Sequence, residues 1–426
     1  MPLMEGITPG QPRIVGVSAP APTDARLAGP VTLAWADGPR RWEGAGIEAE
    51  LTAPDGGSLL EAVARARVDV EASALAAPAP WFGGFAFDSA ARVDGWWEGF
   101  PAARAVVPEL LLASDGCRGQ LTAFAGVGDD GPEAASARAS ARLADALGGL
   151  RTRPHPTSPT SASLRAQDRA AWDRLVAEAL VAFAGAQLRK VVLARALDVV
   201  AERPFDLEAV MERVCALAGP AVVYRMLGRD GTSLVGASPE HLFVLHDGQL
   251  ETQALASTAA PEEVERLTGG RKEAREHAAV VESIRIALGP LTERIAIGAT
   301  PEPLTLGYVA HLRTPVQAHL RPGVRPADVV RALHPTAAVG GTPRAQALDF
   351  LRRHERLARG WYAGAIGWMG ADVADLRVAL RCALIRGAAA RLFSGAGAVT
   401  GSTAEGEWHE TALKARFMLR ALGAEG

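Results

Sequence analysis

Near its end the chain runs Ser394-Gly-Ala-Gly-Ala-Val399 and then Glu405-Gly-Glu-Trp-His-Glu-Thr-Ala-Leu-Lys414, and no other stretch restricts the possible folds so tightly. Gly395 and Gly397 carry no Cβ, so whatever faces them can come close to their backbone. The segment reads as a glycine-rich turn leading into a helix. On that helix Glu407, Glu410 and Lys414 fall at i, i+3 and i+7, which places them on one face. Two readings are open. The face is either a solvated one with an ordinary Glu-to-Lys pair, or a set of carboxylate oxygens beside a cation, arranged for an anionic ligand and its metal.

Composition narrows the choice of ligand. Lys and Arg number 45 against 48 acids, for a net charge of −3, so no basic field points to nucleic acid or an anionic membrane. With 48% hydrophobic residues in 426, the chain can fill a sizeable core, and a small-molecule substrate becomes the expectation. Cys117, Cys215 and Cys382 are odd in number and far apart, which fits a reducing compartment, here the cytoplasm. The start of the chain has no basic region followed by an apolar core, and no run approaches a membrane span.

Residues 1–150 mix short apolar runs with Pro and Gly breaks. Trp81–Asp88 and Val106–Ala113 read as strands, and residues 134–148 as a helix. The Pro/Ser/Thr-rich residues 151–163 read as a linker-like loop. Beyond it, Asp168–Gly185 is predicted as a helix with Trp172, Leu175, Ala179 and Ala182 on its apolar stripe. In the predicted strand 190–197, Lys190 shares a face with Val192, Ala194 and Ala196. It either snorkels to water or sits desolvated with a shifted pKa. Glu240 follows Ser-Pro at a turn, and a hairpin about Asp247-Gly248 comes next. In the predicted helix 271–288, Glu276 lies on the stripe of Val280, Ile284 and Leu288. A carboxylate there is either at the wet end of the stripe or facing a site. Residues 306–314, with His311, read as a strand, as do 361–368 and 375–386. The last of these puts Arg381 on a face with Ala379 and Ala383, leaving room for a ligand carboxylate at the guanidinium.

In order along the chain, Lys-Val-Val-Leu-Ala-Arg, Gly-Ala-Ser-Pro-Glu, Ala-Leu-Ala-Ser-Thr, Arg-Glu-His-Ala-Ala-Val-Val, Tyr-Val-Ala-His-Leu, His-Pro-Thr-Ala-Ala-Val-Gly-Gly, Gly-Trp-Tyr-Ala-Gly-Ala-Ile-Gly-Trp and Gly-Ala-Gly before Glu-x-Glu-x-x-Glu resemble the chorismate-utilising enzymes. That family contains the anthranilate, aminodeoxychorismate, isochorismate and salicylate synthases. The resemblance covers residues 165–423, and Phe82–Asp88 resembles the family's amino-terminal strand. It implies an α+β fold with large β-sheets packed on one another and helices outside. Residues 1–150 would then be a sheet-rich part of the same fold, and residues 164–426 the catalytic region. It further implies Mg²⁺ held by Glu276 and Glu410, with Glu407 joining through water. Tyr362, Arg381 and the backbone of Gly397 match positions that bind the enolpyruvyl carboxylate, Lys414 one near the ring carboxylate, and His311 an active-site histidine beside the departing C4 hydroxyl.

Within the family, ammonia-using members resemble one another in a glutamine where this chain has Lys190, so lysine implies water as the nucleophile and no glutamine amidotransferase subunit. Aminodeoxychorismate synthases carry a lysine where Ala256 stands. His334–Gly341 is similar to the isochorismate synthase version. The resemblance therefore implies isochorismate synthase, a monomer acting on chorismate with Lys190 as base and Glu240 as acid, feeding menaquinone or siderophore biosynthesis. The alternatives are a salicylate synthase and a non-catalytic chorismate-binding subunit. One departure stands out: Ser257 occupies a position where the family typically has glycine.

Overall fold

Short apolar runs broken by Pro, Gly and Asp-Gly turns build two sheets in the computed structural model, which describes residues 12–28, 30–70, 81–152, 161–306 and 309–424. The larger sheet begins at Ala162–Leu164 and Lys190–Ala201. It continues through Ala389–Val399, Cys382–Arg386, Ser233–Ser238, Val222–Leu227, Val31–Asp37, Arg40–Ala45, Leu110–Ser114 and Gly119–Gly126, and ends at Arg13–Ala21 and Arg67–Val70. The smaller sheet runs from Thr292–Ile297 through Val309–Leu320, Gln249–Ala259, His241–His246, Ala374–Val378, Ala365–Met369, Trp81–Phe85 and Ala103–Val107 to Ala49–Ala53. Among the described residues the one parallel pairing joins Arg13–Ala21 to Arg67–Val70.

The main core lies between the sheets, where Val191, Leu193 and Leu234 of one meet Leu242, Phe243 and Ile366 of the other. A second core lies on the outer face of the larger sheet. There Val199, Val235 and Ile385 are covered by Val210 and Val214 of helix Leu207–Ala218 and by Phe417, Met418 and Leu422 of helix Ala404–Leu422. Strands from before residue 150 and after residue 164 lie in both sheets, so this is one α+β unit. Of the linker-like segment, Arg151–Thr152 pairs with Ala25–Arg26 and Ala162–Leu164 forms a sheet edge. Residues 153–160 lie outside the described residues.

Helix Arg271–Leu288 follows from its spacing. Val280, Ile284 and Leu288 recur every fourth residue, all three are buried, and each contributes roughly 1.5–3 kcal/mol by leaving water. Gly289-Pro290 stops it. Helix Ala404–Leu422 is opened by the Thr403 hydroxyl, which accepts from the Gly406 N–H, and closed by Gly423 at φ 72°. In the hairpin, Asp247 (φ 50°) and Gly248 (φ 72°) adopt the left-handed pair that a two-residue turn requires.

Four strand expectations are corrected, two of them by one cause: the chain crosses between sheets inside a stretch read as a single strand. Val106–Ala113 is two strands, Ala103–Val107 in the smaller sheet and Leu110–Ser114 in the larger, broken at Pro108-Glu109. Asp375–Arg386 likewise splits into Ala374–Val378 and Cys382–Arg386. Arg381 stands at the crossing with φ 47°, not on a strand face with Ala379 and Ala383. Trp361–Gly364 is a turn before strand Ala365–Met369, with Ala363 at φ 62°. Ser394–Val399 is not a turn; it completes strand Ala389–Val399. The expected strand 306–314 falls in Glu302–Leu306 and Val309–Leu320, and residues 307–308 lie outside the described residues.

Candidate active site

A further crossing meets the one at Arg381. Strand Ser233–Ser238 leaves the larger sheet through Pro239-Glu240, and Ala374–Val378 returns to it through Ala379–Arg381. The two connections bond to each other: the Val378 N–H donates to Glu240 O (3.0 Å) and the Ala237 N–H to Arg381 O (3.3 Å). The Ser238 hydroxyl donates to Val378 O (2.6 Å) and accepts from the Glu240 N–H (3.2 Å). An acid and a cation far apart in sequence are thereby fixed at the mouth between the sheets.

That mouth is a narrow cleft of about 70 Å³. Glu240, Glu276, His311, Tyr362, Arg381 and Lys414 all line it, as do Gly395 and Gly397. Glu240 is 4% exposed and not a solvated turn residue. Burial raises its pKa from the ordinary 4.5 to about 7, against the opposing pull of Lys190, Thr336, Lys414 and Arg381. The Thr336 hydroxyl donates to its Oε1 at 3.4 Å.

Lys190, 1% exposed, does not snorkel; its Nζ lies 3.0 Å from Glu276 Oε1, behind the cleft wall. Glu276 is the facing-a-site alternative realised. Burial pushes its carboxyl up, but Lys190, Lys414 and the Ser257 hydroxyl outweigh it and hold it below the usual range. Gly397 makes room for this pair, since a Cβ there would stand 2.5 Å from Glu276 Oε1 and 3.0 Å from Lys190 Cε. A Cβ at Gly395 would stand 2.9 Å from the Tyr362 hydroxyl. The glycines thus admit side chains beside the backbone.

His311 is buried with its tautomer set by its partners. Its Nδ1 lies 3.0 Å from Ser257 O and 3.2 Å from Thr258 Oγ1, while Arg381 Nη2, which can only donate, lies 2.8 Å from Nε2. Nδ1 therefore carries the proton. Burial, Arg381 and Lys414 hold the ring neutral, well below its ordinary pKa. Burial also lowers Arg381, to about 10, and raises the Tyr362 hydroxyl, whose ring stacks on Phe393 at 5.2 Å.

On the last helix, Lys414 Nζ lies 2.7 Å from Glu410 Oε1 and donates to Gly395 O at 3.0 Å. The i,i+4 pair exists, and of its two members Lys414 lines the cleft. Glu407 is 1% exposed and, like Glu410, does not line the cleft as it stands. Among the described residues no three acidic, histidine or cysteine side chains form a metal cluster. Glu276 and Glu410 both act electrostatically on groups of this one cleft. Glu276 and Glu410, each paired with a lysine in this structure, are carboxylates of the kind a hard ion such as Mg²⁺ takes, since it needs few protein carboxylates and keeps oxygen ligands from water and substrate.

Sequence reasoning missed a buried clamp behind this wall. Arg359 pairs with Glu355 (2.6 Å) and donates to Val192 O (2.6 Å) and Val339 O (3.0 Å), while Glu355 Oε2 accepts from the Ala194 N–H at 2.9 Å. Val192 and Val339 both line the cleft. In sequence the pair looks like any i,i+4 surface pair, and only its place just before Gly360-Trp-Tyr362 hints otherwise. His277, beside Glu276, was also passed over; its Nε2 lies 2.7 Å from Thr314 Oγ1 and burial lowers its pKa to about 4.

The chain is similar to known proteins in sequence and in fold. A family model described as "Chorismate binding enzyme" matches residues 58–423. The "Salicylate biosynthesis isochorismate synthase" of Pseudomonas aeruginosa is 35% identical over 81% of this chain and 74% of its own length. The "Isochorismate synthase MenF" of Bacillus subtilis is 31% identical over the same shares of each. The solved structure of MenF, the menaquinone-specific isochorismate synthase from Escherichia coli, superposes with a TM-score of 0.79 at 27% identity, covering 97% of this chain and 95% of that one.

Proposed function

Because the chain belongs to the family of chorismate-binding enzymes, we propose that it is an isochorismate synthase, converting chorismate to isochorismate by adding water at C2 and expelling the C4 hydroxyl. The observation that carries the reading is the cleft itself, where a buried Glu240 that still holds its proton near neutral pH faces two fixed cations, Arg381 and Lys414. A substrate with two carboxylates and a leaving hydroxyl asks for both features.

Arg381, Tyr362 and the backbone of Gly397 hold the enolpyruvyl carboxylate, and Lys414 lies at the ring carboxylate. Glu276 and Glu410 are the residues for Mg²⁺, with Glu407 behind them; when bound, the ion supplies positive charge that neutralises the ring carboxylate. To act as the base Lys190 must be the uncharged amine, released from the ion pair it makes with Glu276; it then takes a proton from the water whose oxygen bonds to C2. The ring double bond shifts, the C4–O bond breaks, and Glu240 gives its proton to the departing hydroxyl, so one water enters and one leaves. His311, neutral and anchored at Nδ1, lies beside that hydroxyl and keeps Arg381 oriented on the carboxylate.

On this reading the enzyme acts in the cytoplasm as a single chain, and Lys190, where ammonia-using members have glutamine, removes the need for an amidotransferase; separately, among the described residues no helix is long and apolar enough to cross a membrane. The test is to incubate purified protein with chorismate and Mg²⁺ and identify the products. Isochorismate, formed reversibly, lost in excess chelator and regained with Mg²⁺, is expected. Salicylate with pyruvate as the main products, or anthranilate from added ammonium, would overturn the assignment.

A further inference from the structure

Ser257 is built into the cleft in a way its sequence neighbours do not explain. It sits in strand Gln249–Ala259 where the register against Val309–Leu320 slips between Ala256 and Thr258, an irregularity that leaves it without a strand partner. Its backbone is left-handed at φ 59°, a conformation that side chains other than glycine's rarely adopt. The residue is 4% exposed, so the strained conformation is not relaxed by solvent. Strain of this kind persists where surrounding structure over-determines it, and the contacts here say what does so.

The hydroxyl is shared between Glu276 Oε2 at 3.0 Å and Glu273 O at 3.1 Å. The carbonyl accepts from His311 Nδ1 at 3.0 Å, which turns Nε2 toward Arg381. Glu276 is thus held by separate groups on its two oxygens, Oε1 by Lys190 and Oε2 by Ser257. Glycine would sit at this φ without strain but would leave Oε2 with no hydroxyl donor. Alanine would keep the strain and lose the donor as well.

We infer that Ser257 is a positioning residue of this chain: its hydroxyl fixes the Glu276 carboxylate for a divalent cation, and the strained backbone is retained to bring it there. The inference rests on the assignment of Glu276 to the cation. Partners in the layer behind a metal ligand typically change affinity 10- to 100-fold when removed.

The experiment titrates Mg²⁺ alone into the wild-type protein, Ser257→Gly and Ser257→Ala by calorimetry, and records thermal melting of all three without metal. Both variants should lose Mg²⁺ affinity equally, by about 10- to 100-fold, while Ser257→Gly melts above Ser257→Ala because only glycine relaxes the backbone. Turnover of both should recover toward wild type as Mg²⁺ is raised. A merely structural serine would make affinity follow melting temperature, with Ser257→Ala weak and Ser257→Gly normal, and that result overturns the inference. So does unchanged affinity in both variants. If the wild-type protein binds no Mg²⁺, the assignment of Glu276 fails together with it, whereas a binding wild type with unaffected variants sinks the serine alone.

Discussion

Replacing Glu240 with glutamine tests the acid through stability as well as rate. The folded pKa of about 7 stands above the ordinary 4.5, so between those values the folded protein binds more protons than the unfolded chain, and stability falls as pH rises through this window. Integrated over the window, the loss at pH 8 is roughly 3 kcal/mol. Glutamine has nearly the same shape and cannot ionise, so Glu240→Gln escapes that loss. At pH 4.5 the two proteins should melt at similar temperatures, since the wild-type carboxyl is protonated in the fold. At pH 8 the variant should melt higher by roughly 3–4 °C, taking about 2.1 cal/mol/K of unfolding entropy per residue over the 426-residue chain. Other groups titrate in both proteins and largely cancel in the difference. Turnover moves the opposite way: the variant should lose a factor on the order of 10² to 10⁴. The alkaline limb of the wild-type pH profile, set by the group that must stay protonated, should vanish with it. A melting difference that is the same at both pH values would show that Glu240 does not carry a buried proton, and the acid would have to be sought elsewhere.

Lys190→Ala and Glu276→Gln each strand one member of a buried ion pair and should cost about 3–5 kcal/mol in denaturant unfolding. Lys190→Ala should also lose on the order of 10² to 10⁴ in turnover while calorimetry still detects chorismate; near wild-type turnover would remove it as the base. Gly397→Ala puts a methyl against the ends of two flexible side chains, Glu276 and Lys190, so circular dichroism should be unchanged while activity is lost. Arg359→Ala should destabilise by about 3–5 kcal/mol and lower kcat, and Arg359→Lys should not rescue it, because one ammonium cannot reach Glu355, Val192 O and Val339 O together.

Much of this site is legible in the sequence because its parts break local rules. Glu276 stands on an apolar stripe and Lys190 on a small-residue face, anomalies that a burial pattern exposes, while Ser257 stands out only against the family's glycine. Helix Arg271–Leu288 matches its expected bounds because three apolar residues at fourfold spacing and Gly-Pro leave no other choice. What a single sequence hides is where the chain leaves a sheet. Val106–Ala113 and Asp375–Arg386 each read as one strand, and although Pro108-Glu109 interrupts the first, nothing local says that it or Ala379–Arg381 hands the chain from one sheet to the other. Partners are hidden for the same reason. In sequence Glu276 reads as an acid at the wet end of a stripe or facing a site, and nothing local names its ion-pair partner Lys190, distant along the chain.

The clamp of Glu355 and Arg359 has a bearing on solubility. Strand Lys190–Ala201 is flanked on one side along nearly its whole length by Ala389–Val399, but on the other only at its ends, by Gly341–Thr342 and Ala162–Leu164. Between them the hydrogen-bonding groups of an apolar strand would form an open template for another chain to add to. Instead Gly340 O receives the Val192 N–H (2.9 Å), Arg359 occupies Val192 O, Glu355 occupies the Ala194 N–H, and the Arg165 N–H takes Asp198 O (2.8 Å). Side chains and loop backbone stand in for a missing strand, so the ion pair that shapes the cleft wall also keeps a hydrophobic edge from recruiting a second molecule.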